Sequence, residues 1–366
     1  MCRLLIASGV ALLLVMPPVR AGAPQAPAIP ATGQSLAALI ASLSEPGGYF
    51  DTDNLISNER SYLHVVPMLR SLAGQAGGNG VYLGVGPDQN FSYIAQLRPT
   101  LAIVIDIRRD NLLLHLLFKA LFSEAPTRAS YLALLTGRSE PAAARDASIE
   151  SLVRLVDQAK PLGKTELGRV EARLAAVING FGVTLSNTDR ATMARFHRRF
   201  VDAGLSLQFN SIGRAPQFDY PTYRDLLLEV DRDAVRRSFL ANEDDFQFVK
   251  TLHARDRIVP VVGDLAGRNA LANVARYLDT TGLRMSAFYT SNVEFYLFRD
   301  GRAEAFIANL ARLPRQPGSV IVRSVFPGGG ARISQGYNSA SQTQPIQTLL
   351  DGYQQGRFRQ YWELTR

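Results

Sequence analysis

The sequence predicts an α/β protein built on a doubly wound, mainly parallel sheet that carries a large helical insertion. Two stretches lead to that fold class. In residues 80–122 a short apolar run, Val81-Tyr-Leu-Gly-Val, meets a glycine turn and then apolar helical spacing over 91–97. A second apolar run, Leu101-Ala-Ile-Val-Ile, ends on Asp106, and an apolar helix follows over 112–122. The pattern returns at Ile258-Val-Pro-Val-Val-Gly-Asp264 and the helix-spaced residues 269–278. Strand, turn, helix, strand, acid, helix is a βαβα order, and such units build parallel sheets with right-handed crossovers.

From the beginning of the chain, Arg3 precedes the apolar run 4–16, which gives way to Pro17, Pro18 and the small residues Ala21, Gly22 and Ala23. That is the layout of a secretory signal over residues 1–23, and its apolar core is about 13 residues, short for a membrane span. An uncleaved anchor is the competing reading. Cleavage would remove the lone Cys2, so disulfides and thiolate metal sites are not expected in the mature chain. Residues 24–48 read as a Pro- and Ala-rich linker, a helix over 35–43 and a Gly47-Gly48 turn. Residues 49–122 form the first half of the α/β domain, opening with a polar segment in which Ser57 is placed to cap a helix carrying Tyr62, Val65, Val66 and Leu69.

Residues 123–257 change character. Breaks near Pro141, Pro161, Gly180, Gly213 and Pro216 separate helical faces such as Leu167, Val170, Leu174, Val177 and Ile178. This stretch is the expected insertion, packed beside the sheet and able to roof a pocket. Residues 258–366 form the second half of the domain. After the strand at 258–262 come a strand beginning at Met285, a helix over 303–313, a strand over 319–323, a break at Gly328-Gly-Gly330 and a polar stretch that ends in the amphipathic segment 346–362.

The glycines after the first strand allow close backbone approach, and amides at the following helix start can meet an electron-rich group. Gln89 stands where a dinucleotide fingerprint needs its third glycine, which weakens a nicotinamide reading. Asp106 follows the glycines by about 20 residues at a strand end, where a carboxylate can accept both hydroxyl protons of a ribose. Asp264 repeats that placement on a later strand. Either these positions converge on one crevice, or the glycines only make a tight turn while the acids cap helices.

Taken in order, Val81-Tyr-Leu-Gly-Val-Gly86, Ile103-Val-Ile-Asp106, Val261-Val-Gly-Asp264 and Tyr289-Thr-Ser-Asn-Val-Glu294 resemble motifs one to four of class I S-adenosylmethionine-dependent methyltransferases. Phe50-Asp-Thr-Asp-Asn-Leu-Ile-Ser-Asn-Glu59, Gly84-Val-Gly-Pro-Asp-Gln-Asn-Phe91 and Asp106-Ile-Arg-Arg-Asp-Asn-Leu-Leu more closely resemble an uncharacterised bacterial family with a methyltransferase-like, Rossmann-like fold. The resemblance implies S-adenosylmethionine as cofactor. Gly84, Gly86 and Asp88 would lie at its methionine part, Asp106 at the ribose and Asp264 near the adenine, with Asn292 and Glu294 where substrate is held. The sequence departs from the motif at Tyr82, where an acid is usual, and at Asp88, where a third glycine is usual.

Other polar groups are candidates for chemistry. In the polar segment Asp51, Asp53, Asn54, Ser57, Asn58 and Glu59, the last, with Tyr62 and His64, is a candidate acid, base or ligand contact, against a solvated loop. His115 lies in an apolar helix and reads as a packed, hydrogen-bonded residue, while His197 and His253 have no paired ligand in sequence. No metal-ligand spacing and no G-x-S-x-G elbow is present.

The chain has 366 residues, 46% hydrophobic and 20% charged, enough for an ordinary core and outside the range of collagen, coiled coil or disulfide miniprotein. Its net charge of +8 is spread as arginines among carboxylates, densest at Arg195, Arg198 and Arg199, without a nucleic-acid-binding motif. A small-molecule ligand is therefore the expected partner, with no nucleic acid and no membrane span in the mature protein. The expected function is an S-adenosylmethionine-binding, methyltransferase-like protein. The reading from another class is an exported, catalytically inert ligand-binding or interaction module that keeps the fold. Export to the periplasm or the extracellular space sits awkwardly with a cofactor made in the cytoplasm. N-terminal mass analysis of the protein from its native host is expected to find a chain beginning near Pro24, and an intact Met1 in the cytoplasmic fraction would refute export.

Overall fold

The computed structural model describes residues 34–73, 80–142, 145–212 and 220–366. Residues 1–23, read as an export signal, and 24–33 of the linker lie outside the described residues. Six strands form one sheet: β1 (Gly80–Gly84), β2 (Leu101–Asp106), β3 (Ile258–Val262), β4 (Arg284–Ser291), β5 (Arg315–Val325) and β6 (Ala340–Pro345). Their order is β3-β2-β1-β4-β5-β6. The first five run parallel and β6 is antiparallel to β5. The protein is thus an α/β fold on a mixed, mostly parallel sheet.

Strands β1, β2 and β3 are buried at every position except Asp106, which explains their unbroken apolar sequences: a parallel sheet covered by helices on both faces has no polar side. The polar sequence of β6 obeys the opposite rule. Paired on one side only and mostly half-buried, it needs no apolar run, so residues 340–345 read in sequence as part of a polar stretch. The chain winds outward from β1 through β2 to β3 and then crosses back to lay β4 on the other side of β1. That reversal opens a crevice at the carboxyl ends of β1 and β4.

Between β2 and β3 lie seven helices among the described residues, from Arg109–Glu124 through Arg128–Leu135, Ile149–Gln158, Lys164–Gly180, Asn187–Ala203 and Tyr223–Leu227 to Glu243–Ala254. Several start on residues whose side-chain oxygens accept an amide of the first turn. Ser148 takes Ser151, Ser186 takes Asp189, Thr222 takes Asp225 and Asn242 takes Asp245. Among the described residues no helix is long and apolar enough to cross a membrane.

The inserted helices join the sheet layer through an aromatic cluster. Phe91, fully buried in the helix Gln89–Leu97 after β1, meets His115, Phe118, Phe122, Phe239 and His253 at ring-centroid distances of 5.2–5.6 Å. These are mainly edge-to-face contacts, the arrangement that ring quadrupoles favour. Phe91→Ala is expected to cost about 3–5 kcal/mol, read as a fall in the denaturant midpoint. A change under about 1 kcal/mol would show that this cluster does not couple insertion and sheet.

Candidate functional site

A strap formed by residues 44–59 crosses the carboxyl ends of the strands. At β3, the Glu45 amide donates to the Val262 carbonyl, and the Glu45 carboxylate accepts the amides of Asp264, Asn269 and Ala270. That carboxylate caps the start of the helix Ala270–Thr281, where the helix dipole favours negative charge. Past β2, the Gly48 amide donates to Ile107, and Arg108 Nη1 donates to the Thr52 carbonyl at 3.0 Å. The insertion grips the same strap, since Ile212 donates to Asp51 and Asp53 donates to Asn210. The strap reaches β4 and β5 at Glu59.

Beneath the strap lies a cavity of about 970 Å³ lined by residues from every parallel strand end, by the strap, and by Phe209, Ser211 and Tyr220 of the insertion. Gly86, Asp106 and Asp264 all face it. Gly86 takes φ +82°, a backbone conformation open to glycine, and its carbonyl accepts His115 Nε2 at 2.9 Å. Burial lowers the His115 pKa to about 4, so the imidazole serves as a neutral donor that fixes the turn. Asn90 shapes the same turn through bonds from Nδ2 to the Val85 and Pro87 carbonyls, and Tyr82 donates to Asn90 Oδ1. Tyr82, the departure from the motif, is therefore a support for the turn. Gly84 lies below the cavity, where an added Cβ would collide with Asn90 Oδ1 and the Tyr82 ring.

The two crevice aspartates are engaged. Asp106 accepts the Arg108 amide and Nε on Oδ1, and Arg108 Nη2 on Oδ2 at 2.8 Å. Asp264 pairs with Arg302 at 2.6 Å. Asp88 is turned away from the cavity. Buried behind the turn, its Oδ2 accepts the Tyr223 hydroxyl at 2.6 Å, and burial pushes its pKa up to about 7.

The remaining candidates separate. Asn292 lines the cavity, whereas Glu294, two residues later, is fully buried and locked to Arg323 by two bonds of 2.7 and 3.1 Å. Glu59 faces the cavity at 1% exposure and accepts Tyr289 OH at 2.7 Å, Gln89 Nε2 at 3.1 Å, and the hydroxyls of Ser291 and Ser324. Ser57 accepts the Glu59 amide but does not cap the element that follows: the N-cap of the 3-10 turn Arg60–Val65 is Glu59, without a side-chain cap bond, and the turn leads into the helix Val66–Ala73. The Tyr62 hydroxyl donates to the Leu226 carbonyl, and His64 packs edge-on against Tyr337, so neither joins Glu59. No group of three or more possible metal ligands occurs among the described residues.

A family model described as a domain of unknown function, DUF7790, matches residues 55–177 and 214–360. The chain belongs to this family. No curated protein matches the sequence. The two DUF7790 stretches contain Glu59, Gly86, Asp106 and Asp264, together with all six strands. Between them, residues 178–213 carry the helix Asn187–Ala203, whose Asp189 pairs with Arg109 at 2.9 Å. The DUF7790 description assigns no activity.

Sequence reasoning missed the partners that define these groups. Arg108 had a local signal, being two residues past Asp106 at a strand end. Ser324 and Tyr289 had none, because only strand order brings them to a strap residue more than 200 positions away. Ser291, a non-glycine residue at φ +53°, is a backbone outlier without a sequence mark.

The burial of Asp88 generates a pH prediction. A carboxyl whose pKa is higher folded than unfolded adds stability that is whole below about pH 4 and is lost as pH rises through about 7. The shift corresponds to on the order of 4 kcal/mol. Asp88→Asn is expected to gain stability over the unmodified protein progressively from pH 4 to 8 in thermal melts. A difference independent of pH would show that Asp88 does not titrate in this window.

Proposed function

We propose that the crevice binds S-adenosylmethionine or a close analogue and that the protein is a methyltransferase-like enzyme acting on a substrate held at the β4 end. The observation that carries this reading is the shared placement of Gly86, Asp106 and Asp264 at neighbouring strand ends, facing one cavity at the crossover point of a doubly wound sheet. That is where open α/β sheets place their ligands.

The residues fit such a ligand in most respects. Gly86 has open space on its cavity side, with Asn54 Nδ2 3.4 Å from an added Cβ. Asp106 spends three hydrogen bonds on Arg108, and a carboxylate has about four lone-pair sites, so one ribose hydroxyl can join without displacing the arginine. Asp264 would lie at the adenine end. The sulfonium supplies an already activated methyl group, which leaves the protein to bind, orient and exclude water. Asn292, which lines the cavity at the β4 end, would orient an acceptor there.

The reading as an exported, inert ligand-binding module is favoured by one observation. Glu294, a candidate for holding substrate, is closed by Arg323 and does not reach the cavity. Transfer of labelled methyl from S-adenosylmethionine to a host extract would separate an enzyme from a binding module.

Calorimetric titration with S-adenosylmethionine and S-adenosylhomocysteine is the direct experiment. Asp106→Ala is expected to weaken binding at least about tenfold, since each lost bond to a charged group costs about 1.5–3 kcal/mol. Gly86→Val should block binding by bulk, with a stability loss from the positive φ. Absence of heat and of thermal shift at millimolar nucleoside in the unmodified protein would overturn the proposal.

A further inference from the structure

The charges around the cavity do not cancel. Its lining includes four carboxylates, Glu59, Asp106, Asp264 and Asp300, and three arginines. Each arginine is committed: Arg108 to Asp106, Arg302 to Asp264 and Arg299 to Asp300. Glu59 is the carboxylate left over, and it is also the most deeply placed. Its four donors are neutral, and no lysine, arginine or histidine pairs with it among the described residues.

Such an arrangement is expensive unless something else completes it, because a buried charge needs an opposite charge as well as hydrogen bonds. A further feature points the same way. Ser291 holds its hydroxyl on Glu59 from a left-handed backbone conformation, a strain that persists where the surroundings impose it and that gathers at ligand sites. The rings of Tyr289, Phe295, Tyr296 and Tyr361 line the same cavity, and aromatic faces favour a cation.

We infer that Glu59 is the subsite for a positively charged nitrogen of the ligand, an ammonium that donates to Oε1, which accepts Ser291 alone among the described residues while Oε2 takes the other three donors. The crevice then takes an elongated, end-differentiated molecule. Its neutral polar end lies towards Asp264 at β3, and its cationic end lies at Glu59 between β4 and β5. This inference rests on the nucleoside reading for the β3 end and adds to it the charge required at the other.

The experiment compares S-adenosylhomocysteine with the same molecule acetylated on its α-amino nitrogen, which keeps the nucleoside and the carboxylate and removes the positive charge. Binding to the unmodified protein is expected to fall at least about tenfold on acetylation. Glu59→Gln should weaken S-adenosylhomocysteine to the level of the acetylated compound, and its ligand-free melting temperature should hold or rise, as expected when a functional charge is removed. Equal affinity of the unmodified protein for both compounds overturns the inference and leaves the nucleoside reading standing. Discrimination that survives in Glu59→Gln, with a lowered melting temperature, makes Glu59 a structural tie and also overturns it. If neither compound nor 5′-methylthioadenosine binds the unmodified protein, the nucleoside reading fails and the inference falls with it. Should Glu59→Gln not fold, the comparison of the two compounds on the unmodified protein still decides.

Discussion

A parallel sheet ends in amides and carbonyls that have no strand partner, and every such group must be bonded or solvated. Here the strap of residues 44–59 meets that requirement at β3 and just past β2, and its Glu59 ties to β4 and β5 through the side chains of Tyr289 and Ser324. The crevice depends on it. Without the strap the carboxyl edge would be an open shelf. With it, the edge becomes a cavity with a protein wall on each side, one from the strap and the insertion and the other from the segment after β4.

The two arginine–aspartate pairs of the crevice have distinct structural parts. Arg108 both satisfies Asp106 and reaches Thr52, so one guanidinium fastens strap to sheet through charge-assisted bonds in a fixed fork. Arg302 approaches Asp264 from the turn before the helix Ala303–Arg312 and is half exposed, which makes it the weaker and more easily displaced of the two. A ligand that competes for these carboxylates would displace Arg302 more readily than Arg108. The Glu294–Arg323 pair belongs elsewhere: buried on both sides, it joins the segment after β4 to β5 beneath the cavity.

Sequence patterning made much of this visible for a definite reason. Strands buried on both faces must be apolar throughout, so β1, β2 and β3 announce themselves, and the acids that end them mark the carboxyl edge. Gly86, Asp106 and Asp264 were therefore placed on one edge by reading along the chain. The same logic fails where burial is one-sided or pairing is remote. β6 has no apolar run to betray it. Glu294 and Asn292 look equivalent in sequence, yet the turn after β4 sends one into the core and the other to the cavity. Asp88 occupies a motif position and faces Tyr223 because the helix Gln89–Leu97 starts immediately after it.

The strap also has a history within each molecule. It is made before any strand of the sheet it crosses, and its seats appear in the order β1, β2, β3, β4, β5. The bond from Ser324 to Glu59 closes 265 positions of chain, and that from Asn338 to Asn58 closes 280. Contacts of such separation form late, because the entropy of closing the intervening loop is spent before they return anything. The crevice therefore cannot close at β5 until residue 324 is in the sheet, and a chain interrupted before that residue lacks the Ser324 hydroxyl on Glu59.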